Sequence, residues 1–331
     1  MKPQSRLELV CPAGTPGALR VAVDAGADAV YCGFRDETNA RNFPGLNFSR
    51  EELKEAVTYA HARGCKVLVA INTFPRAGHV ALWQRAVDDA VALGADALIL
   101  CDIGLLDYAA TKHPKARLHL SVQAAAANPE AIRFYTASFG VKRVVLPRVL
   151  TVSEIASINE GIDCETEVFV FGGLCVMAEG RCSLSSYATG KSPNMNGVCS
   201  PPSHVSYHEE GDELVPRLGG FTINRIPRSE PAAYPTLCKG RFVAGKSSGY
   251  IFEDPVSLNA GTLVPGLAKA GVTALKIEGR QRGRAYIAAV VKAFRQAVDA
   301  LAEGRSVDLD RLLALAEGQS STQGAYAKTW R

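Results

Sequence analysis

The chain has 331 residues, 47% of them hydrophobic, which is enough for one large domain or two ordinary ones with a substantial core. Its 37 Lys and Arg stand against 33 Asp and Glu, and with no long basic run the charge gives no sign of a nucleic-acid surface. No stretch approaches the ~18 consecutive apolar residues of a membrane span, and "MKPQSRLELV" lacks the apolar region of a secretory signal, so the cytoplasm is the expected compartment.

The first strand is expected near residue 7, in "LELVCPA". The second follows near 29, in "AVDAGADAVYCG", where a helix-like stretch, a small-residue or glycine turn and a short β-branched run succeed one another. The same order returns in "AVALGADALILCD", "ASFGVKRVVLPR" and "LAKAGVTALKIEG". Glycine just past a helix suits the left-handed cap, and the runs after it are too short and too apolar for strands wetted on one side, so they read as buried parallel strands. Between strands two and three, "SREELKEAVTYAHARG" carries Ser49 as N-cap with Glu52 three residues on, then Leu53, Val57 and Ala60 at helical spacing.

Further strands fall near 66 ("KVLVAIN"), 97, 118 ("LHLSVQ"), 143, 165 ("CETEVFVFG") and 274, and the last helix, "RAYIAAVVKAFRQAVDALAEG", puts Ile287, Val290, Val291, Phe294, Val298 and Leu301 on one face. Eight such units in series predict an α/β fold, a closed (β/α)8 TIM-like barrel, with an open doubly wound sheet as the alternative. One interval breaks the rhythm: about 100 residues separate strands seven and eight, where the others start roughly 20 to 40 apart. Residues 1–172 therefore read as the first seven units, 173–252 as an insertion at the barrel mouth, and 253–331 as the last unit and tail. Within the insertion, "PPSHVSYHEEGDELVPRL" reads as a hairpin turning at "EEGDE", which predicts a small β-rich subdomain.

The nine cysteines divide by position. Cys11, Cys32, Cys65, Cys101 and Cys164 lie in or beside predicted strands and read as apolar filler. Cys175, Cys182, Cys199 and Cys238 all lie in the insertion, spaced C-x6-C-x16-C-x38-C among small residues and prolines, with Arg181, Lys239 and Arg241 nearby to favour thiolates. Four soft ligands in a reducing compartment point to zinc or an iron–sulfur cluster, with uncoordinated thiols as the bland reading. The paired C-x2-C knuckles of zinc ribbons are missing, which favours a 4Fe–4S cluster, whose four corners can be held from separate loops.

The stretch "EVFVFGGLCVMAEGRCSLSSY" resembles the signature of the collagenase-like peptidase family (peptidase U-type, thirty-second family): Glu, an aromatic, Gly, a small residue, an aliphatic and Cys, then Gly-x-Cys, with Gly173 where Ser or Ala is expected. "LVCPAG", "GADAVYCG", "NARNFPGLNF", "INTF", "SVQ", "VVLPR", "YPTLCKGR" and "KIEGRQR" extend the resemblance over nearly the whole chain, and within the family it is most similar to the UbiU-type chains, down to the tail "GAYAKTW". The resemblance implies that Cys175, Cys182, Cys199 and Cys238 ligate a 4Fe–4S cluster. It further implies oxygen-independent hydroxylation of an aromatic ubiquinone precursor in a heterodimer with a UbiV-type partner, with prephenate as oxygen donor. Two other activities belong to the family: hydroxylation of an RNA base, by longer relatives, and collagenase-like peptidase action. A scaffold that only stabilises its partner is a further possibility.

Residues expected at the carboxyl ends of strands are the catalytic candidates: Arg41 after strand two, Asn72 after three, Asp102 after four, Gln123 after five, Arg148 after six and Glu278 after eight, with Arg35 and Arg280 beside them. Several guanidiniums there would suit a substrate or donor bearing carboxylates. Two other motifs carry less. "GRFVAGKS" matches a phosphate-binding loop by letter, but "SGYIFEDP" follows where a helix would have to open. There is no H-E-x-x-H or G-x-S-x-G for hydrolysis, and His204 and His208 read as surface residues at the hairpin.

Overall fold

The computed structural model describes residues 6–175, 182–191, 199–230, 232–305, 316 and 321–327. Seven parallel strands follow one another in space as in sequence: β1 (Glu8–Pro12), β2 (Ala29–Cys32), β3 (Lys66–Ile71), β4 (Ala97–Leu100), β5 (Leu118–Leu120), β6 (Arg143–Val145) and β7 (Glu165–Gly173). The strand Ala274–Ile277 pairs in parallel with both β1 and β7, which closes the ring of eight. This is the expected barrel, and the open-sheet alternative is excluded because no edge remains between β1 and β7.

Helices α1 (Pro16–Asp24), α2 (Arg50–His61), α3 (Ala81–Ala92), α4 (Ile103–Lys112), α5 (Pro129–Phe139) and α6 (Val152–Glu160) return the chain between successive strands. Local chemistry sets their starts. Ser49 and Glu52 form the full capping box of α2, and Thr151 and Glu154 that of α6. Thr15, Asp102 and Asn128 cap α1, α4 and α5 with side-chain oxygens. Leu53, Ala56, Val57 and Ala60 then turn one face of α2 onto the sheet.

Alternation along the strands separates two cores. Leu9, Cys11, Val30, Cys32, Val67, Val69, Leu98, Leu100, Leu275 and Ile277 join the large cluster under the helices, while Val10, Ala29, Tyr31, Leu68, Ala70, Ala97, Ile99 and Ala274 form a second cluster inside the ring. Cys11, Cys32, Cys65 and Cys101 are buried and Cys164 is partly buried. The rest of the interior is ionic. Arg143 contacts Glu8 at 2.9 Å, Glu165 at 2.6 Å and Glu167 at 3.3 Å, and Lys276 meets Glu167 at 2.6 Å.

The insertion leaves the end of β7. It holds α7 (Ser183–Thr189), the expected hairpin of β8 (Val205–Glu210) and β9 (Glu213–Leu218), short flanking strands β10 (Phe221–Thr222) and β11 (Ile226–Pro227), and a second hairpin, β12 (Arg241–Ala244) with β13 (Ser247–Tyr250). Glu210 pairs with Glu213, so the first turn is Gly211-Asp212, and Gly211 takes the φ of 63° that the first position of such a turn demands. Among the described residues its own core is small: Leu218, Ile223 and Leu237, packed with Leu184, Ala188, Val205 and Phe242. The chain rejoins the barrel at β14 (Ser257–Asn259), antiparallel to the end of β7 and paired with β16 (Ser321–Thr322). Then α8 (Val264–Lys269), the closing strand β15 (Ala274–Ile277) and α9 (Arg284–Ala302) complete it. α9 buries Ile287, Val290, Val291, Phe294 and Val298, as its spacing requires, while Leu301 is partly buried. Among the described residues no helix is long and apolar enough to cross a membrane.

Candidate functional site

Strand ends of the barrel bring Tyr31, Arg41, Arg148, Glu278, Arg280 and Arg282 together at its mouth. Glu278 follows β15, where its backbone N–H donates to the Phe171 carbonyl at 2.8 Å. Its Oε2 accepts from the Gly173 amide at 3.4 Å and its Oε1 lies 3.7 Å from Arg41 Nε. Gly172 makes this approach possible: its φ is 112°, and a Cβ there would stand 2.5 Å from the Glu278 carbonyl oxygen. Arg148 donates to the Gly173 carbonyl and stacks 4.0 Å above the Phe169 ring, so the end of β7 is held from both sides.

One carboxylate is set among several guanidiniums. Burial works against the charge of Glu278, yet Arg41, Arg148 and Arg282 together hold its carboxyl below the usual carboxylate range. Burial pushes the Tyr31 phenol up, and its hydroxyl donates to the Ile277 carbonyl at 2.8 Å. Tyr31 is therefore a fixed wall of the mouth, with the Lys276 ammonium 3.8 Å from its ring. Arg280 is 4% exposed, and its Nη1 donates to Asn39 Oδ1 at 3.2 Å.

The other sequence candidates take separate places. Arg35 bonds Glu52 at 2.7 Å and the Leu46 and Asn47 carbonyls, which fastens the loop after β2 to the start of α2. Asn72 accepts from the Ala40 amide at 3.0 Å and braces the same loop. The Asp102 carboxylate accepts from the Leu105 amide at 2.9 Å as the cap of α4. Gln123 is buried just after β5, and its Oε1 has no hydrogen-bond partner among the described residues. The catalytic candidates thus sort into Arg41, Arg148 and Glu278, which meet, and Asn72 and Asp102, whose polar atoms serve the loops; Gln123 keeps an unused acceptor. Sequence reasoning missed Tyr31 and Arg282 at the mouth and the whole ionic interior. Charged residues inside otherwise apolar strands, as in "LELV", "LHLSV", "ETEVF" and "ALKIEG", were the available signal.

Three of the four insertion cysteines share one neighbourhood. Cys182 is the N-cap of α7, and its sulfur accepts from the Ser185 amide at 3.4 Å. The Ser185 hydroxyl reaches back to the Cys199 carbonyl at 2.5 Å. Cys238 lies in a 3-10 turn, Leu237–Lys239, with its sulfur 3.7 Å from Thr236 Oγ1. Although Cys199 is an exposed residue, loss of solvent around its thiol pushes it up, while Arg41 pulls it down and Cys182 pushes it further up. Burial likewise pushes Cys238 up, Thr236 and Lys239 oppose this, and Cys199 and Cys182 add to it. Cys175, two residues beyond β7, is exposed at the barrel end.

Among the described residues no group of three or more His, Cys, Asp or Glu side chains is arranged to hold a metal ion. A single zinc needs its sulfurs at bonds of about 2.3 Å to one point. A cluster offers each thiolate its own iron and so accepts a wider set. Soft donors spread over separate loops, with Arg41 and Lys239 beside them to offset thiolate charge, fit the cluster in chemistry and in charge. The insertion itself is docked on the barrel: Tyr234 packs edge-on against Phe43 of the loop after β2, at 6.2 Å, and Arg41 acts on both Cys199 and Glu278.

The profile of Peptidase family U32 matches residues 14–328. The chain belongs to peptidase family U32. Among its family relatives, tRNA hydroxylation protein P of Escherichia coli (strain K12) is 34% identical over 331 aligned positions, covering 93% of this chain and 71% of the relative. The 23S rRNA 5-hydroxycytidine C2501 synthase of the same organism is 32% identical, covering 92% of this chain but 41% of the relative. A collagenase of Porphyromonas gingivalis is 27% identical, covering 90% and 66%. The relatives of this chain thus include proteins named for hydroxylation and one named for proteolysis.

"GRFVAGKS" is not a phosphate loop in this U32 chain. Its residues form the β12–β13 hairpin, with Gly245 at φ 63° in the turn, and no helix opens behind Lys246.

Proposed function

We propose that this U32 chain is the iron–sulfur subunit of an oxygen-independent hydroxylase acting on an aromatic ring, with Cys175, Cys182, Cys199 and Cys238 holding a 4Fe–4S cluster. One observation carries the reading: Tyr234 donates to the carbonyl of Ser200, next to Cys199, at 2.8 Å and packs on Phe43 at 6.2 Å, while Arg41 of the same loop lies 3.7 Å from Glu278, so the sulfur neighbourhood and the arginine-lined mouth are adjacent. When bound, the cluster supplies single-electron transfer. The chain's own residues bind and orient. Arg41 and Arg148 offer guanidinium forks to oxyanions, which suits prephenate, a dicarboxylate, as oxygen donor. Glu278, held ionised, orients those arginines and is a poor proton acceptor at neutral pH. The substrate is an aromatic ubiquinone precursor and the active form a heterodimer with a UbiV-type partner.

Arg41→Ala and Arg148→Ala are expected to leave the cluster's absorbance intact while lowering hydroxylation at least ~10-fold, since each removes a charged contact of about 1.5–3 kcal/mol. Unchanged product from both would remove them from the site.

A second reading, hydroxylation of an RNA base, is favoured by the names of the relatives. The heterodimer, isolated without air and given prephenate, is assayed on a ubiquinone precursor and on unmodified tRNA and rRNA transcripts. Product from the precursor alone supports the first reading, and product from RNA alone replaces it with the second. Cleavage of collagen-like peptide by iron-free protein would favour peptidase action over both.

A further inference from the structure

A buried cation normally has a counter-ion. Arg280 has none in direct contact: its residue is 4% exposed, among the described residues it forms no ion pair, and the Glu278 carboxylate favours its charge only from beyond ion-pair distance. Its hydrogen bond goes to the neutral amide of Asn39. The same Asn39 oxygen accepts from the Arg41 amide at 3.0 Å, and the Arg41 charge lies close enough to oppose that of Arg280. The backbone leaves room for this arrangement. A Cβ on Gly33 would come within 2.7 Å of Asn39 Cγ and 3.0 Å of Arg280 Nη1, and one on Gly14 within 1.7 Å of the Arg280 carbonyl oxygen. Two glycines, an amide and one like charge thus surround this guanidinium at the inner end of the mouth.

We propose that Arg280, with Arg41 beside it and Asn39 beneath, is a subsite for one oxyanion, a carboxylate or a phosphate group of the ligand. The ligand's negative charge neutralises the Arg280 guanidinium in a place where solvent does not, Arg41 adds to the attraction, and the planar fork of Arg280 fixes the orientation of the group. The proposal deepens the function proposed above and rests on it for its place in catalysis. Its test does not, because anion binding is read on protein without iron.

Thermal unfolding and calorimetry of the iron-free chain are run with 4-hydroxybenzoate, with inorganic phosphate and with chloride at equal ionic strength. A rise in Tm and a measurable heat with the first identifies a carboxylate, and with the second a phosphate; either supports the subsite. Neither exceeding chloride overturns it. Arg280→Met is expected to weaken the anion at least ~30-fold, as loss of a buried charge partner does. A Tm rise of wild-type size in Arg280→Met overturns the proposal. Should that variant not fold, Arg280→Lys, which keeps the charge and loses the fork, is expected to bind ~10-fold more weakly; wild-type affinity there overturns it equally. Iron and sulfide measured separately show whether the cluster reading stands, so the two can fail independently.

Discussion

Replacing Cys182 by alanine is expected to take protein isolated without air from about four irons and four sulfides per chain to nearly none. The argument rests on where Cys182 sits. Its sulfur lies at the first turn of α7, next to Cys199 and Cys238 in charge terms, and is held by the Ser185 amide at 3.4 Å. Three remaining thiolates leave one corner open to water, so the cluster and its brown absorbance should be lost during purification. Cys101→Ala is the control. That residue is 3% exposed in the barrel wall, and its loss should cost about 1 kcal/mol of stability while iron stays unchanged. Zinc in the wild-type protein, or full iron in Cys182→Ala, would sink the assignment.

The same variant probes the insertion's fold. Among the described residues Leu218, Ile223 and Leu237 are its buried cluster, far fewer than the barrel buries, so a metal cross-link would be a large share of what holds it. The barrel closes through β15 on β1 and β7 without using those cysteines. Loss of iron should therefore expose the insertion to protease while the barrel's unfolding changes little.

The barrel was legible because its signals are local and repeated. Each apolar run, glycine turn and amphipathic helix carries its own period, and the eight expected strands coincide with the eight observed. The hairpin at Gly211 was legible for the same reason. β14 and β16 were not, since three- and two-residue strands defined by pairing with β7 and with each other carry no period. At the mouth, position after a strand selected Arg41, Arg148 and Glu278, but it equally selected Asp102, whose carboxylate is taken by the amide of Leu105. Helix caps and site residues occupy the same sequence position, and only contacts tell them apart. Arg280 shows the converse. Its charge is ordinary in sequence, and burial at 4% with no ion pair among the described residues is what gives it significance.

Arg143→Met should be the most destabilising single change in the barrel, by about 3–5 kcal/mol, with Tm lower by on the order of 10 °C. Arg143 is 3% exposed and holds Glu8, Glu165 and Glu167, so its removal takes away the one charge they share and leaves each carboxylate a single cation, Lys66, Arg117 and Lys276 respectively. Burial alone would raise Glu8, but Arg143 and Lys66 bring it down from 4.5 to about 2, which corresponds to about 3 kcal/mol of stability at neutral pH. Because the folded value is the lower one, this contribution is present above pH 4.5 and is lost as pH falls toward 2. His119 adds to the same slope. Burial, then Arg143 and Arg117, hold its imidazole well below the ordinary 6.5, with Nε2 accepting from Arg117 Nε at 3.1 Å. The unfolded chain binds that proton first, so stability should decline below pH 6.5 by up to about 1.4 kcal/mol per pH unit. His119→Asn should flatten the decline between pH 6.5 and 4.5. Lys66→Ala, at a side chain 55% exposed, should cost under about 1 kcal/mol. Equal Tm values for Arg143→Met and Lys66→Ala would show that the interior charges do not hold the barrel.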